Sequence, residues 1–591
     1  MSPPDLELRV AGGNTLSSLD PSVASGAPVR ADKRLYLYVS YALIVVYVSI
    51  SLLPLLSSGY YSDDLINSTI KGQLELQNIT FVHYLIDENR RWVTSRGRFF
   101  PVAVLTTEAI SYVSYHLQLY KILILSMIIM NVLLLGYLLH SITRNRYVSY
   151  LGMLLLPMLF QFRLYHDPIL AFSGMMQLFV SLVLCAMISL YKYLEYKNSN
   201  YLIASLVFYN LSLYTYEVSI FLIPLFLIIV TDPRDWQSKD RIKLSAPYVI
   251  SVVVALMAMF VARELKSPAA PGYSGIMLSM EPARVVETLF LQLYASLPLS
   301  YYAGNPSHLF HHDLSSFVAS IARHDIAVWL LFVAFYMRLI GKLVKIQGIS
   351  ALLYLGSALV LFPAMAISIS LKYQGELRSF GAGMGYVPVY IQYYGTALFM
   401  TGAIVLALQK LSRKSVRIVV HMAVVVVIST GLLVNMQSNR LVVEKANIDL
   451  YYRRAALTRA LGENILRDVP EHSKVYILDE YAFDPYPFVK SPLRGWAATG
   501  YDWKNDAFVY LYAKKRVQII NDVNGLLNYA GRNNATDTGA NDIYLLNIKS
   551  YPDNMGIKEG YVVLSSIQNI YRDKAGKIEF ERSRLRSSFP P

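Results

Sequence analysis

Eleven stretches of this chain are both apolar and long, and they limit what it can fold into more than any other feature. They lie at roughly 35–56, 118–141, 147–163, 168–191, 201–215, 217–231, 245–262, 326–341, 349–371, 390–409 and 418–436, many of them about 17 to 24 residues long. A helix rises ~1.5 Å per residue, so about 20 apolar residues cross the ~30 Å hydrocarbon layer of a bilayer. The expected class is therefore an α-helical polytopic membrane protein of about 11 spans. Composition agrees: 54% of the 591 residues are hydrophobic and 16% charged, and the 46 tyrosines suit the headgroup zone.

A net charge of +14 would ordinarily bring nucleic acid to mind. The order of the charges assigns it elsewhere. Arg30, Lys33 and Arg34 precede the first run, and later basic clusters at Arg144 and Arg146, Lys192 and Lys197, Arg234 to Lys243, Lys342 and Lys345, and Lys410 to Arg417 fall in alternate connections. By the positive-inside rule these connections are cytoplasmic, so the N-terminus is cytoplasmic and no nucleic-acid partner is expected. Residues 1–32, rich in Ser, Pro, Gly and Ala, read as a disordered cytoplasmic tail, residues 33–436 as the membrane domain and residues 437–591 as an extracytoplasmic domain. The single cysteine, Cys185, sits in an apolar run, so neither an intrachain disulfide nor a Cys-based metal site is expected.

The connections on the other side carry the chemistry-bearing residues. Gly59-Tyr60-Tyr61-Ser62-Asp63-Asp64-Leu65 follows the first span directly, in a loop that also holds Arg90, Arg91, Arg96 and Arg98 and ends in an apolar segment, 99–116, with the character of an interfacial or re-entrant helix. Two adjacent carboxylates there can be a solvated cap or a reactive pair. The short link Arg163-Leu164-Tyr165-His166-Asp167-Pro168 offers Asp167 as an N-cap before a proline or as a further acid. Glu217 sits in a turn with almost no loop to solvate it, so it needs a polar cavity or a partner.

Residues 281–299 form an amphipathic segment expected on the membrane surface, followed by His308, His311, His312 and Asp313, whose spacing matches no strong metal motif. Lys372 to Tyr390 reads as a loop with glycines at 381, 383 and 385 that allow close backbone approach to a ligand, while Lys372 and Arg378 carry charges suited to phosphate. No metal site is expected from these residues. After about Gln437 an amphipathic helical stretch, 439–468, leads into strand-like runs at 475–478, 507–512, 517–520, 543–546 and 561–564, an α/β pattern without a nucleophile motif.

Tyr61-Ser62-Asp63-Asp64 in the first outer loop, His166-Asp167 in the next and a soluble domain after an odd number of spans resemble the GT-C glycosyltransferases. The resemblance implies a GT-C-like membrane fold, a polyprenyl-phosphate sugar as donor, a glycan, lipid or protein as acceptor, hexosyl or pentosyl transfer with inversion, and a bacterial inner membrane as location. It implies no cofactor beyond the lipid-phosphate donor and leaves a divalent metal open. Chemistry alone asks such an enzyme for three things at the interface: a base for the acceptor hydroxyl, cations for the departing phosphate and an apolar groove for the lipid. Asp63, Asp64 and Asp167 are the candidate catalytic acids and bases, with Asp63 preferred as base by the resemblance. Arg98, Arg163, Lys372 and Arg378 are candidate phosphate ligands, and Tyr61, Tyr165, His166 and Glu217 further substrate-binding candidates. Two other readings remain in view: an O-antigen polymerase- or ligase-like enzyme using the 263–325 loop, and a flippase or transporter for a lipid-linked glycan.

Overall fold

The computed structural model describes residues 27–591 except 165, 231–238, 269–274, 276, 306–320, 340, 344–345, 412, 448–450, 482–504, 521–542, 554–555, 573–577 and 588–591. The histidine cluster at 308–312, Asp313 and Tyr165 lie outside the described residues. The chain divides into two units, residues 1–46 and 47–591. Within the first, helix Ala27–Ser51 begins, so helical structure starts inside the stretch expected to be a tail.

Every expected span carries a helix. Among the described residues six are long and apolar enough to cross a bilayer: Leu117–Thr143, Phe172–Tyr196, Lys243–Glu264, Ile349–Ser368, Val389–Lys410 and Ser415–Ala446. Shorter apolar helices at Tyr38–Ser51, Arg146–Leu159 and Glu217–Ile229 occupy further expected positions. The protein is a multi-pass membrane protein. Its surface says the same: Ile250, Val253, Val254, Met257, Phe260 and Val261 on one helix are all exposed, a face that only lipid would solvate well.

Helix starts follow local chemistry. Asn145 and Asn198 cap the helices that follow them through their side-chain oxygens, and Pro101 and Pro282 open theirs where the missing N–H is not needed. The segment expected to be re-entrant does form a helix, Pro101–Val113.

Four expectations change. The Asp63 loop is largely helical, with helices Asp63–Asn67, Ile70–Gln77 and Phe81–Arg91. Residues 371–380, read as the start of a glycine-rich loop, form helix Leu371–Phe380, and the irregular part is confined to 381–388. The glycines there do not leave space for a ligand at two of the three positions: a Cβ on Gly383 would lie 2.2 Å from the Ser300 carbonyl oxygen and one on Gly385 2.5 Å from Ala295. Helix Pro282–Ala295 does more than lie on a surface, because it buries Thr288, Gln292 and Ala295 and leaves Val286 and Phe290 exposed. Gln292 accepts the Tyr386 N–H (2.7 Å) and donates to Gln392 (2.8 Å), which ties that helix to the 381–388 turn.

The fourth concerns the C-terminal part. The last membrane helix, Lys414–Ala446, is 33 residues, about 50 Å long and so well beyond the ~30 Å hydrocarbon layer. It runs without a break through the expected boundary at 436. Beyond it, β1 (Lys474–Tyr481) to β5 (Ile578–Ser587) make one sheet in the order β2-β1-β3-β4-β5, with β2 at Gln518–Ile520, β3 at Ile543–Asp553 and β4 at Gly556–Arg572. β1 runs parallel to both neighbours (Val475 opposite Ile519 and Tyr544), and the β3–β4 and β4–β5 pairs are antiparallel.

Residues 507–512, expected to be a strand, belong instead to helix Asn505–Ala513. Phe508 and Val509 of this helix join Leu457, Leu461, Val475, Ile477 and Leu546 in the core beneath the sheet. Ala507 and Leu511 face helix Ile70–Gln77. With two faces buried the helix has no polar stripe, and a short apolar run rich in aromatics then reads as a strand. The packing is so close that a Cβ on Gly72 would fall 2.2 Å from the Ala507 carbonyl oxygen. Gly72→Ala should therefore lower stability by about 1–3 kcal/mol, the usual range for overpacking against backbone; a thermal-unfolding midpoint equal to that of the parent would contradict the packing.

Candidate functional site

A buried, irregular segment anchors one end of the helical bundle. Helix Arg146–Leu159 stops at Phe160, and the described residues among 160–171 form neither helix nor strand although almost all of them are buried. Buried backbone of this kind persists only if protein groups satisfy its N–H and C=O groups. Asn435 donates to the carbonyls of Pro157 (2.7 Å) and Phe160 (3.0 Å), while Asn439 donates to Phe160 and accepts the Phe162 N–H, both at 2.8 Å. Gln161 donates to Leu297 and accepts the Tyr301 N–H. Asp167 accepts backbone N–H groups from Arg163 (2.5 Å), Ile169 (2.6 Å) and Leu170 (2.7 Å). Burial lifts the Asp167 carboxyl to about 6, against the pull of those three N–H groups and Arg163. Its oxygens are thus engaged in shaping this segment.

The acidic pair stands against that scaffold. The Gly59 N–H donates to Asn447, the Tyr60 hydroxyl to the Ser114 carbonyl and the Tyr61 hydroxyl to the Arg163 carbonyl (2.8 Å), so the approach to the pair is pinned at three successive residues. Ser62 then takes φ 48° and ψ −125°, a conformation that costs an L-residue about 1–3 kcal/mol. His166, Phe172 and Ser173, in the facing segment, also have positive φ. Backbone strain of this kind persists where surrounding structure over-determines it.

The two carboxylates have different surroundings, as neighbours on one helix must. Asp64 is buried and accepts from the Tyr120 hydroxyl, the Ser173 N–H (3.0 Å) and the Ser173 hydroxyl (3.1 Å). Burial raises its carboxyl to about 6, with Lys121, Tyr120 and Ser173 pulling the other way. Lys121 is itself fully buried, donates to the Leu170 carbonyl (3.3 Å), and feels the charges of both Asp64 and Asp167. Asp63, in contrast, is reached by solvent. Yet the protein packed around it is dense enough that burial pushes its carboxyl above the ordinary value of 3.8, with Lys372 opposing. Asp63 is thus the solvent-reached member of the pair and Asp64 the buried one.

Lys372 is the cation that acts on Asp63. Its ammonium acts on both Asp63 and His166, is about a quarter exposed, and lies 3.5 Å from Glu376 one turn along its own helix. Burial, with Lys372 beside it, lowers the His166 ring to about 4, so this histidine is neutral near pH 7. Aromatic rings frame it: Tyr386 at 5.3 Å and Phe172 and Phe380 each at 6.0 Å between centroids.

The other expected phosphate ligands are placed differently. Arg98 makes a two-pronged pair with Glu217 (2.7 and 2.5 Å) and lies 4.5 Å over the Phe100 ring, which brings together two residues proposed from separate loops and gives Glu217 the partner its setting demanded. Arg163 is fully buried, donates to the Ala295 carbonyl (3.0 Å) and lies 5.6 Å over Tyr393, so it is sealed inside the scaffold. Arg378 is exposed and pairs with Glu287. It follows Lys372 by six residues, which turns it about 120° around the helix. Tyr61 serves the backbone of Arg163. Tyr165 cannot be placed, since it lies outside the described residues.

Sequence reasoning passed over Lys121, Tyr120 and Ser173. A lysine five residues into a 27-residue apolar helix is a signal in its own right, because such a charge needs a partner within the protein. Tyr120 and Ser173 carry no comparable signal. Among the described residues no group of three or more His, Cys, Asp or Glu is arranged to hold a metal ion.

No family model matches the chain, and no curated protein sequence matches it. Among solved structures the chain is similar to ArnT from Cupriavidus metallidurans bound to undecaprenyl phosphate, at 13% identity over 86% of this chain and 92% of that one, with a TM-score of 0.36. It is similar also to the apo state of the same protein, at 11% identity over 88% and 93% of the two chains, again with a TM-score of 0.36.

Proposed function

We propose that this protein is a GT-C-type membrane glycosyltransferase that moves a hexosyl or pentosyl group from a polyprenyl phosphate to a hydroxyl of a glycan, lipid or protein acceptor, with inversion. The observation that carries the reading is the division of labour in the acidic pair. Asp64 is buried under three hydrogen bonds, while Asp63 is reached by solvent and feels the Lys372 charge. A solvent-reached base with a cation acting on it is the combination this reaction requires.

In the transfer, the acceptor oxygen attacks the anomeric carbon as its proton passes to the Asp63 carboxylate. The bond from that carbon to the phosphate oxygen breaks, its electron pair leaves with the lipid phosphate, and Lys372 offsets the charge gathering there. The sugar passes through an oxocarbenium-like state, by analogy with glycoside hydrolysis. Neutral His166 and its aromatic frame supply an uncharged wall. Asp64, Asp167, Arg163 and Tyr61 hold the scaffold. Glu217 neutralises Arg98, which would reach phosphate only by exchanging that carboxylate partner. The alternation of basic clusters supports an extracytoplasmic site and C-terminal domain, and a bacterial inner membrane is the location proposed.

The test is direct. Purified, reconstituted protein is incubated with a panel of polyprenyl-phosphate sugars and a mixed hydroxyl acceptor pool, and release of polyprenyl phosphate is followed. Turnover with one donor is the expected result. Release from no donor, with or without added divalent cation, by protein shown to be folded would remove the reading.

A further inference from the structure

The helix that begins at Asp63 is five residues long. A helix so short has no stability of its own and is held where its neighbours put it. Its N-terminal side is fixed by Asp64 on Tyr120 and Ser173. Its C-terminal side is held from almost four hundred residues away in sequence.

Arg454, on helix Tyr452–Gly462 at the entrance to the C-terminal domain, is fully buried. It donates to the Leu65 carbonyl (2.9 Å), within the Asp63 helix, and to the Ser68 hydroxyl (2.6 Å) at that helix's C-cap. Its guanidinium is 4.3 Å from the ring centre of Tyr60 and 5.0 Å from that of Phe508. One residue of the C-terminal domain thus bridges the segment before Asp63, the helix after it and the core of its own domain. Two glycines show how close the two parts approach: a Cβ on Gly59 would lie 2.3 Å from Tyr451 Cβ, and Gly72 meets the Ala507 backbone. Only a guanidinium offers two parallel donors and a flat face for stacking together, so lysine would not reproduce this arrangement.

We infer that Arg454 is a positioning residue for Asp63, and that the C-terminal domain, through it, aims the reactive carboxylate instead of serving as an appended recognition module. This rests on the role proposed for Asp63, so the experiment has one arm that does not depend on turnover. Hydrogen exchange is measured over residues 60–70 in the full-length reconstituted protein and in Arg454→Lys and Arg454→Met. Arg454→Met should speed exchange of the Leu65 and Ser68 amides at least tenfold, and Arg454→Lys by less, while exchange in the Leu117–Thr143 helix stays unchanged.

In the second arm, with whichever donor the wild type turns over, kcat should fall about 10²-fold in Arg454→Met, the usual penalty for a displaced catalytic group, with KM for the donor within twofold. Arg454→Lys should recover part of kcat. Unchanged exchange over 60–70 would overturn the inference, and so would a loss of kcat no larger than the loss of folded protein or a change confined to KM. If the wild type uses no donor, the enzyme reading fails by itself and the exchange arm still decides whether Arg454 holds the helix.

Discussion

Asp63→Asn lowers kcat by about 10²- to 10⁴-fold, the range by which a positioned general base accelerates proton transfer, and leaves donor affinity within twofold. Asparagine keeps the shape of the side chain and accepts no proton at neutral pH, and the Asp63 side chain carries none of the hydrogen bonds that hold the scaffold. The matching change at its neighbour has the opposite signature. Asp64→Asn places an amide N–H₂ among donors from Tyr120 and Ser173, which costs about 1–3 kcal/mol for a buried group left facing the wrong partner. Loss of stability at 64 and loss of turnover at 63, measured by thermal unfolding and by single-turnover transfer, separate the roles of two adjacent carboxylates. Normal turnover in Asp63→Asn would remove the base assignment.

Lys372→Met reduces kcat/KM by roughly 10²-fold, as loss of one charge-stabilising group at a departing oxyanion does. It also moves the pH profile in a direction the electrostatics fix. Asp63 must be ionised to accept a proton, so activity falls on the acid side through the Asp63 pKa. Burial already holds that pKa above 3.8, and the Lys372 charge is what opposes the rise. Without the ammonium the pKa climbs further, and the acid limb of kcat shifts to higher pH. An acid limb that stays in place, or moves to lower pH, in Lys372→Met would show that Lys372 does not face Asp63.

Much of the architecture was legible along the chain, and the reason is that it depends on neighbours in sequence. Membrane insertion sums the hydropathy of some twenty consecutive residues, so each of the eleven apolar runs marked a helix, although helices Ala27–Ser51 and Lys414–Ala446 extend eight residues before and ten residues beyond their runs. The β1 to β4 positions were legible for the same reason, as short apolar runs between turn residues. The helix at Asn505–Ala513 was not, because burial on two faces removed the polar stripe that would have distinguished it.

The site divides along the same line. Local sequence supplied the acidic pair, its place after the first span and the list of nearby cations. Which carboxylate faces solvent and which cation faces it depended on contacts between residues far apart in the chain. Asp64 is locked by Ser173, 109 positions on, Arg98 is met by Glu217 at 119, and Arg454 reaches Leu65 across 389. Hydrophobic length is a property of one segment, whereas the pairing of charges in a low-dielectric interior is set by where several segments end in space, and only the folded chain brings those ends together.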